Sequence, residues 1–256
     1  MPQFGQITPA QLLRLIGTPD APDILDVRID ADVAALPRLI PGSRRVAHDA
    51  VAGLAGPPGK AVIVCARGRK LSEGAAAWLR TMGWQAEVLE GGALAWDAAG
   101  LPMIPLAALP APGSAWVTRH RPKIDRIACP WLIRRFIDPS ARFLFVAPAE
   151  VAEVAARFDA IPYDIEGVSF SHRGEQCSFD ALLDDFALHY EPLDRMATII
   201  RGADTDRHDL APQAAGLLAL SVGLSRIYRD DLKQLDPATA LPDPPSRSPR
   251  PGPAHA

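Results

Sequence analysis

The sequence predicts an α/β protein: a parallel sheet with flanking helices in the first hundred residues, followed by a second, mainly helical α+β domain. Three observations carry this. Short β-rich apolar runs alternate with helix-length amphipathic ones up to about residue 100, the pattern of strands buried between crossover helices. A proline- and glycine-rich stretch, "GLPMIPLAALPAPGSA", then covers residues 100–115. Beyond it helical periods dominate, with one clear strand-like run.

Taken in order, "TPAQLLRLI" (residues 8–16) begins a helix with Thr8 as N-cap and Pro9 at N1. "DILDVR" (23–28), "AVIVC" (61–65) and "AEVLEGG" (86–92) read as buried strands. "LSEGAAAWLRTMG" (71–83) is a helix closing on Gly83, where a C′ glycine belongs. The proline-rich stretch reads as a stiff extended connector. In the second domain "DRIACPWLIRRFIDP" is a helix with Pro130 near its first turns, "RFLFVA" a strand, and "AEVAEVAARFD" a helix. Two more helices are expected after "SHRGEQCSF", the last over about 212–228. The division is a first domain at 1–104, a linker at 105–114, a second domain at 115–235, and a disordered proline-rich tail at 236–256.

Composition bounds the function. With 256 residues, 48% of them hydrophobic, the chain can bury a real core. A net charge of -3 gives no electrostatic reason to expect nucleic acid. No run of about 18 apolar residues is present and the N-terminus lacks a secretory pattern, so neither a membrane span nor export is expected. The three cysteines, Cys65, Cys129 and Cys177, are an odd count without a C-x-x-C pair. That fits a reducing cytoplasm.

The first candidate site is "CARGRK" (65–70). A strand ends at Cys65, a tight loop turns through residues 66–71, and a helix starts near Ser72. Such a loop points backbone N–H groups inward, and the helix start adds partial positive charge. Arg67, Arg69 and Lys70 add more. In that field a thiolate is favoured and the thiol pKa falls below its ordinary value of about 8.5. A buried strand-end cysteine is often only structural; the glycine, the cations and the helix start together favour a nucleophile.

At these residues the chain resembles the rhodanese-like sulfurtransferases. The likeness rests on "DVR" (26–28), "IPGS" (40–43), "VIVCARGRKLS" (62–72) and "LEGGALAW…GLP" (89–102), and covers about residues 5–104. It implies that Cys65 takes a sulfane sulfur from a donor, becomes a persulfide, and passes it to a thiol acceptor. Ala66, Arg67, Gly68, Arg69, Lys70 and Leu71 would form the substrate cradle, and no cofactor is required. Two positions depart from the family pattern: Lys70 stands where an arginine is usual, a point charge in place of a bidentate fork, and Leu39 where a histidine is usual.

In the second domain the polar residues gather in "RHRPKIDRIACPWLIRRF", "YDIEGVSFSHRGEQCSFD" and "RGADTDRHDLAP". His172 and Cys177 are five apart with a glycine between, a turn spacing that could bring both onto one metal. Asp204 and His208 would complete a divalent-metal site. The alternative is structural: a satisfied core histidine, a packed Cys177, and Asp209 as an N-cap. These segments are similar to the C-terminal domain of the ChrB-type chromate-resistance proteins, over about residues 115–232. That resemblance implies a part in protection against chromate, with chromate or a related oxyanion as the expected ligand. Arg201 stands where many members carry a histidine. Two functions are thus expected as rivals, a sulfurtransferase acting through Cys65 beside a chromate-resistance domain, and a non-enzymatic oxyanion or redox sensor.

Overall fold

The computed structural model describes residues 5–54 and 57–238; the expected tail lies outside the described residues from 239 onward. The first half runs β1 (Gln6–Ile7), α1 (Pro9–Leu15), β2 (Asp23–Asp26), α2 (Asp30–Ala35), β3 (Arg38–Leu39), β4 (Ser43–Arg45), β5 (Lys60–Val64), α3 (Lys70–Thr81), β6 (Gln85–Leu89), α4 (Gly92–Ala98) and β7 (Ile104–Pro105). The second half runs β8 (Ala115–Arg119), α5 (Asp125–Leu132), β9 (Arg142–Val146), α6 (Val151–Phe158), β10 (Ile161–Pro162), α7 (Ser178–Asp185), α8 (Glu191–Asp204), α9 (Ala214–Ile227) and α10 (Asp231–Ala238).

The first sheet has the order β1-β6-β5-β2-β4, and every pairing in it is parallel. β5 is central: Ile63 pairs with Leu25 on one side and Val88 on the other. Val62, Ile63 and Val64 are each at most 1% exposed, as expected of β-branched residues covered on both faces. Around the sheet, the predicted caps form. The Thr8 hydroxyl accepts from the Gln11 N–H and the Gln11 side chain accepts from the Thr8 N–H, a reciprocal capping box. Gly83, at φ +88°, follows the last turn of α3.

"DVR" has a structural meaning. Asp26 and Arg28 form a buried ion pair at 2.6 Å, and the guanidinium also donates to the carbonyls of Leu36 and Arg38 at 3.0 and 2.7 Å. The charge is therefore paired and its remaining donors are used, the condition for burying an arginine. The pair ties β2 to the segment between α2 and β3.

The second half is built on a three-stranded parallel sheet, β10-β8-β9. Its central strand, β8, has no distinct signal in the sequence because it follows directly on the proline-rich stretch, whose last residue, Ala115, is its first. That stretch is less extended than expected. Ile104 pairs with Leu39, residues 106–108 make a 3-10 turn, and Leu109 packs on the core. From the 171–179 segment onward four helices follow among the described residues, where the sequence predicts two. The break between α7 and α8 falls at Ala187, with φ +53°, and α8 restarts with Pro192 in its first turn. Pro130 lies well inside α5, and the helix then widens into a π-turn at residues 133–137, where the Asp138 N–H donates to the Ile133 carbonyl at 2.8 Å.

That π-turn joins the two halves. Phe136 is 2% exposed, and its carbonyl accepts from the Gly42 N–H at 2.6 Å. Its ring fills the space beside Gly17 so fully that a Cβ there would stand 2.4 Å from Cζ. One continuous apolar core consequently runs from Leu12 and Trp96 in the first half to Trp131 on α5 and Phe179, Leu182 and Leu183 on α7. Among the described residues no helix is long and apolar enough to cross a membrane.

Truncating the ring at the joint tests this packing. Phe136→Ala is expected to cost roughly 3–5 kcal/mol, the usual loss for a buried aromatic. Calorimetry should resolve two thermal transitions in the variant where the parent chain gives one.

Candidate functional sites

Cys65 follows the last residue of β5, at the carboxyl edge of the central strand, where parallel α/β sheets place their ligands. The residue is 5% exposed. The Arg69 N–H donates to its Sγ at 3.4 Å, and the Ser72 Oγ lies 3.1 Å away. Ser72 also donates to the Arg69 carbonyl at 2.9 Å. Its single hydroxyl proton therefore has two acceptors, and ionisation of the thiol favours the sulfur. Burial pushes the Cys65 pKa up, but the Ser72 hydroxyl and the backbone N–H groups of Arg69, Ser72 and Arg67 outweigh it, so the thiol lies below its ordinary range.

The loop holds this shape because two backbones meet without side chains between them. Gly68 has φ +65°, and a Cβ on it would stand 2.3 Å from the Leu89 carbonyl oxygen. Gly92 has φ +64°, and a Cβ on it would stand 2.2 Å from the Cys65 carbonyl oxygen. The Ala93 and Leu94 N–H groups donate to the carbonyls of Cys65 and Ala66 at 2.9 and 3.1 Å. With those carbonyls engaged by α4, the loop amides face the sulfur.

Of the expected cradle, Arg67, Arg69 and Lys70 have exposed side chains at the mouth of the loop. The Leu71 side chain packs on the apolar core beside Cys65, so only its backbone is available to a ligand. Ser72 is a partner of the sulfur that the sequence reading does not single out. Its one signal is position, on the first turn of α3 and seven residues after the cysteine.

A second polar cluster forms where five segments of the second half converge. Asp125 begins α5, Asp164 follows β10 at φ +51°, His172 lies on the loop before α7, Ser178 begins α7, and Asp204 ends α8. His172 Nε2 lies 3.0 Å from Asp204 and 3.7 Å from both Asp125 and Asp164. Single donor atoms of Asp125, Asp164 and His172 all lie within 4.8 Å of one another. The Ser178 hydroxyl donates to Asp164 at 2.9 Å, and its N–H donates to Asp125. Arg119 and Arg126 approach Asp164 at 3.3 and 3.5 Å. Burial, with the charges of Asp204 and Asp164, pushes the Asp125 pKa well up; burial and Asp164 raise Asp204.

His172 and Asp204, two of the four metal ligands expected from spacing, are thus brought together. The other two are not part of the group. Cys177 is fully buried, and burial holds its thiol protonated beside Asp125. His208 is apart, exposed and 3.6 Å from Asp206. Asp125 and Asp164 escape the sequence reading as members of the cluster because they are 39 residues apart and meet only through the fold. A usable signal is present in Asp204, an acid in the last turn of a helix, where the macrodipole disfavours it.

The family model described as "ChrB, C-terminal domain" matches residues 116–244, and the rhodanese-like domain model matches residues 8–99. Protein ChrB of Cupriavidus metallidurans is 37% identical over 121 residues, a match covering 46% of this chain and 36% of that protein. The chain therefore spans little more than a third of the curated relative's length. Among solved structures, a thiosulfate sulfurtransferase from Pseudomonas aeruginosa is 30% identical with a TM-score of 0.35, covering 40% of this chain and 19% of that one. A rhodanese-related protein from Thermoplasma volcanium is 24% identical with a TM-score of 0.34, covering 40% and 98%.

Removing the Ser72 hydroxyl should raise the Cys65 pKa. A hydrogen bond to a charged group contributes roughly 1.5–3 kcal/mol, equivalent to about 1–2 pH units. In Ser72→Ala the pH profile of Cys65 alkylation by iodoacetamide is expected to move upward by that amount. Cys129 and Cys177 are fully buried, so the folded chain reports Cys65, with Cys65→Ser as the blank.

Proposed function

Since the chain belongs to the family of the ChrB C-terminal domain and carries a rhodanese-like domain before it, we propose that it is a sulfurtransferase acting through a Cys65 persulfide in a chromate response. The observation that carries this reading is the ring of donors on one sulfur, the Ser72 hydroxyl and the loop amides, at the carboxyl edge of β5. The thiolate attacks the outer sulfur of a sulfane donor such as thiosulfate. A sulfur–sulfur bond forms to Cys65 as the donor's own sulfur–sulfur bond breaks, and sulfite leaves with the electron pair. An acceptor thiolate then attacks the outer sulfur of the persulfide, and the Cys65 thiolate is released.

Arg67, Arg69 and Lys70, exposed at the loop mouth, would attract the anionic donor and the departing sulfite. The chemistry needs free thiols, which suits a reducing cytoplasm. The second domain would take chromate or a related oxyanion. Arg119, half-exposed at a cavity of about 450 Å³ and paired there with Asp164, is the cation on which that assignment would rely. A sensor reading also has an observation in its favour: Lys70 and the core-packed Leu71 leave the closing positions of the loop without a guanidinium fork for a tetrahedral anion.

Intact mass decides between them. After exposure to thiosulfate the chain is expected to gain one sulfur atom, which cyanide removes and Cys65→Ser lacks. Repeated turnover with cyanide supports the enzyme. No gain with reduced Cys65 present would overturn the persulfide and leave the sensor.

A further inference from the structure

We propose that Asp125, Asp164 and His172 form a binding site for one divalent first-row transition-metal ion, with Asp204 beside the imidazole. This does not rest on the persulfide reading. Three observations carry it. One donor atom from each residue lies within 4.8 Å of the other two. The 3.7 Å separations between His172 Nε2 and the two carboxylates are too long for hydrogen bonds. They suit ligands around a shared ion, since donors at about 2.0–2.2 Å in a tetrahedral site stand roughly 3.4 Å apart.

The third observation is independent of the cluster's composition. Asp125 is 0% exposed, and its Oδ1 has no hydrogen-bond partner among the described residues. Its Oδ2 accepts from the Ser178 N–H and faces His172. A fully buried carboxylate oxygen without a donor costs more than folding normally tolerates, and a cation held by the same carboxylate would offset that cost. Arg119 and Arg126 do not supply it, because both approach Asp164. The Cys177 thiol, which also approaches the Asp125 carboxyl, is only a weak donor.

Two carboxylates and one imidazole suit manganese, iron or zinc in preference to magnesium or calcium, which favour oxygen alone. Asp204 stands 3.0 Å from the same imidazole nitrogen and accepts from the Asp125 N–H, so it is anchored to the cluster. That nitrogen cannot serve Asp204 and an ion together. On binding, Asp204 gives up the imidazole and becomes an oxygen donor at the edge of the site. His172 also lines the cavity that Arg119 borders, so an ion taking five or six ligands keeps positions open towards that cavity. An anion would bind there to metal and guanidinium together.

The test uses the full chain, stripped with a chelator and titrated with Mn2+ by electron paramagnetic resonance and with Zn2+ by calorimetry. One ion per chain is expected. His172→Ala and Asp164→Asn should each weaken binding at least tenfold, whereas His208→Ala and Cys65→Ser should leave it unchanged. His172 is 42% exposed, so His172→Ala keeps the test valid if an aspartate variant fails to fold. Absence of saturable binding at millimolar metal, or equal binding by His172→Ala, would overturn the site. So would a parent chain that binds neither ion while Asp125→Asn melts higher, the behaviour of carboxyls sharing protons.

Discussion

The close approach of two backbones, the turn at Gly68 and the start of α4 at Gly92, is the constraint on which the thiol site depends. Both glycines have positive φ, and a Cβ on either would lie within 2.3 Å of a carbonyl oxygen. Their contact lets the Ala93 and Leu94 N–H groups take the carbonyls of Cys65 and Ala66, leaving the inner amides for the sulfur. Neither segment makes the cradle alone. Parallel pairing of β5 with β6 is what brings the ends of both strands to one edge.

The joint between the halves follows similar logic. Gly17 leaves the space that Phe136 fills, and Gly42 gives its N–H to the Phe136 carbonyl. Phe136 can reach both because the helix that begins at Asp125 widens after Pro130. An unbroken α-helix would carry that side chain at a different angle. The irregular turn is thus what the fit requires, and the shared core makes the halves one packed body in place of two beads on a linker.

Local chemistry is legible in the sequence wherever a residue acts through its near neighbours. Thr8 caps with Gln11 three residues on, Gly83 closes α3, and Cys65 lies at the end of a strand that an apolar run announces. What cannot be read depends on contacts distant along the chain. β8 is masked by the proline-rich stretch that runs into it, and its central place comes from pairing with β9 and β10 on either side. Asp125, Asp164 and His172 are polar residues in three separate segments, and no spacing rule joins them. His172 and Cys177 read as a ligand pair because they are close in sequence, yet the fold buries the thiol and turns the imidazole towards carboxylates.

The two sites handle negative charge in opposite ways. At Cys65 a single developing anion meets a hydroxyl and several N–H dipoles and needs no ion pair, so ionisation is eased although the sulfur is nearly buried. In the second half three carboxylates crowd together, one oxygen of Asp125 has no donor among the described residues, and burial and mutual repulsion raise the pKa of Asp125 and of Asp204. Dipoles arranged around one sulfur favour a nucleophile. Carboxylates short of partners favour whatever brings positive charge, whether a proton or a metal. The first site is therefore suited to donate electrons in a covalent step, the second to hold a cation beside the arginine-bordered cavity. The two halves thus place opposite electrostatic environments within one chain, donors gathered on a sulfur in the first and carboxylates gathered round an imidazole in the second.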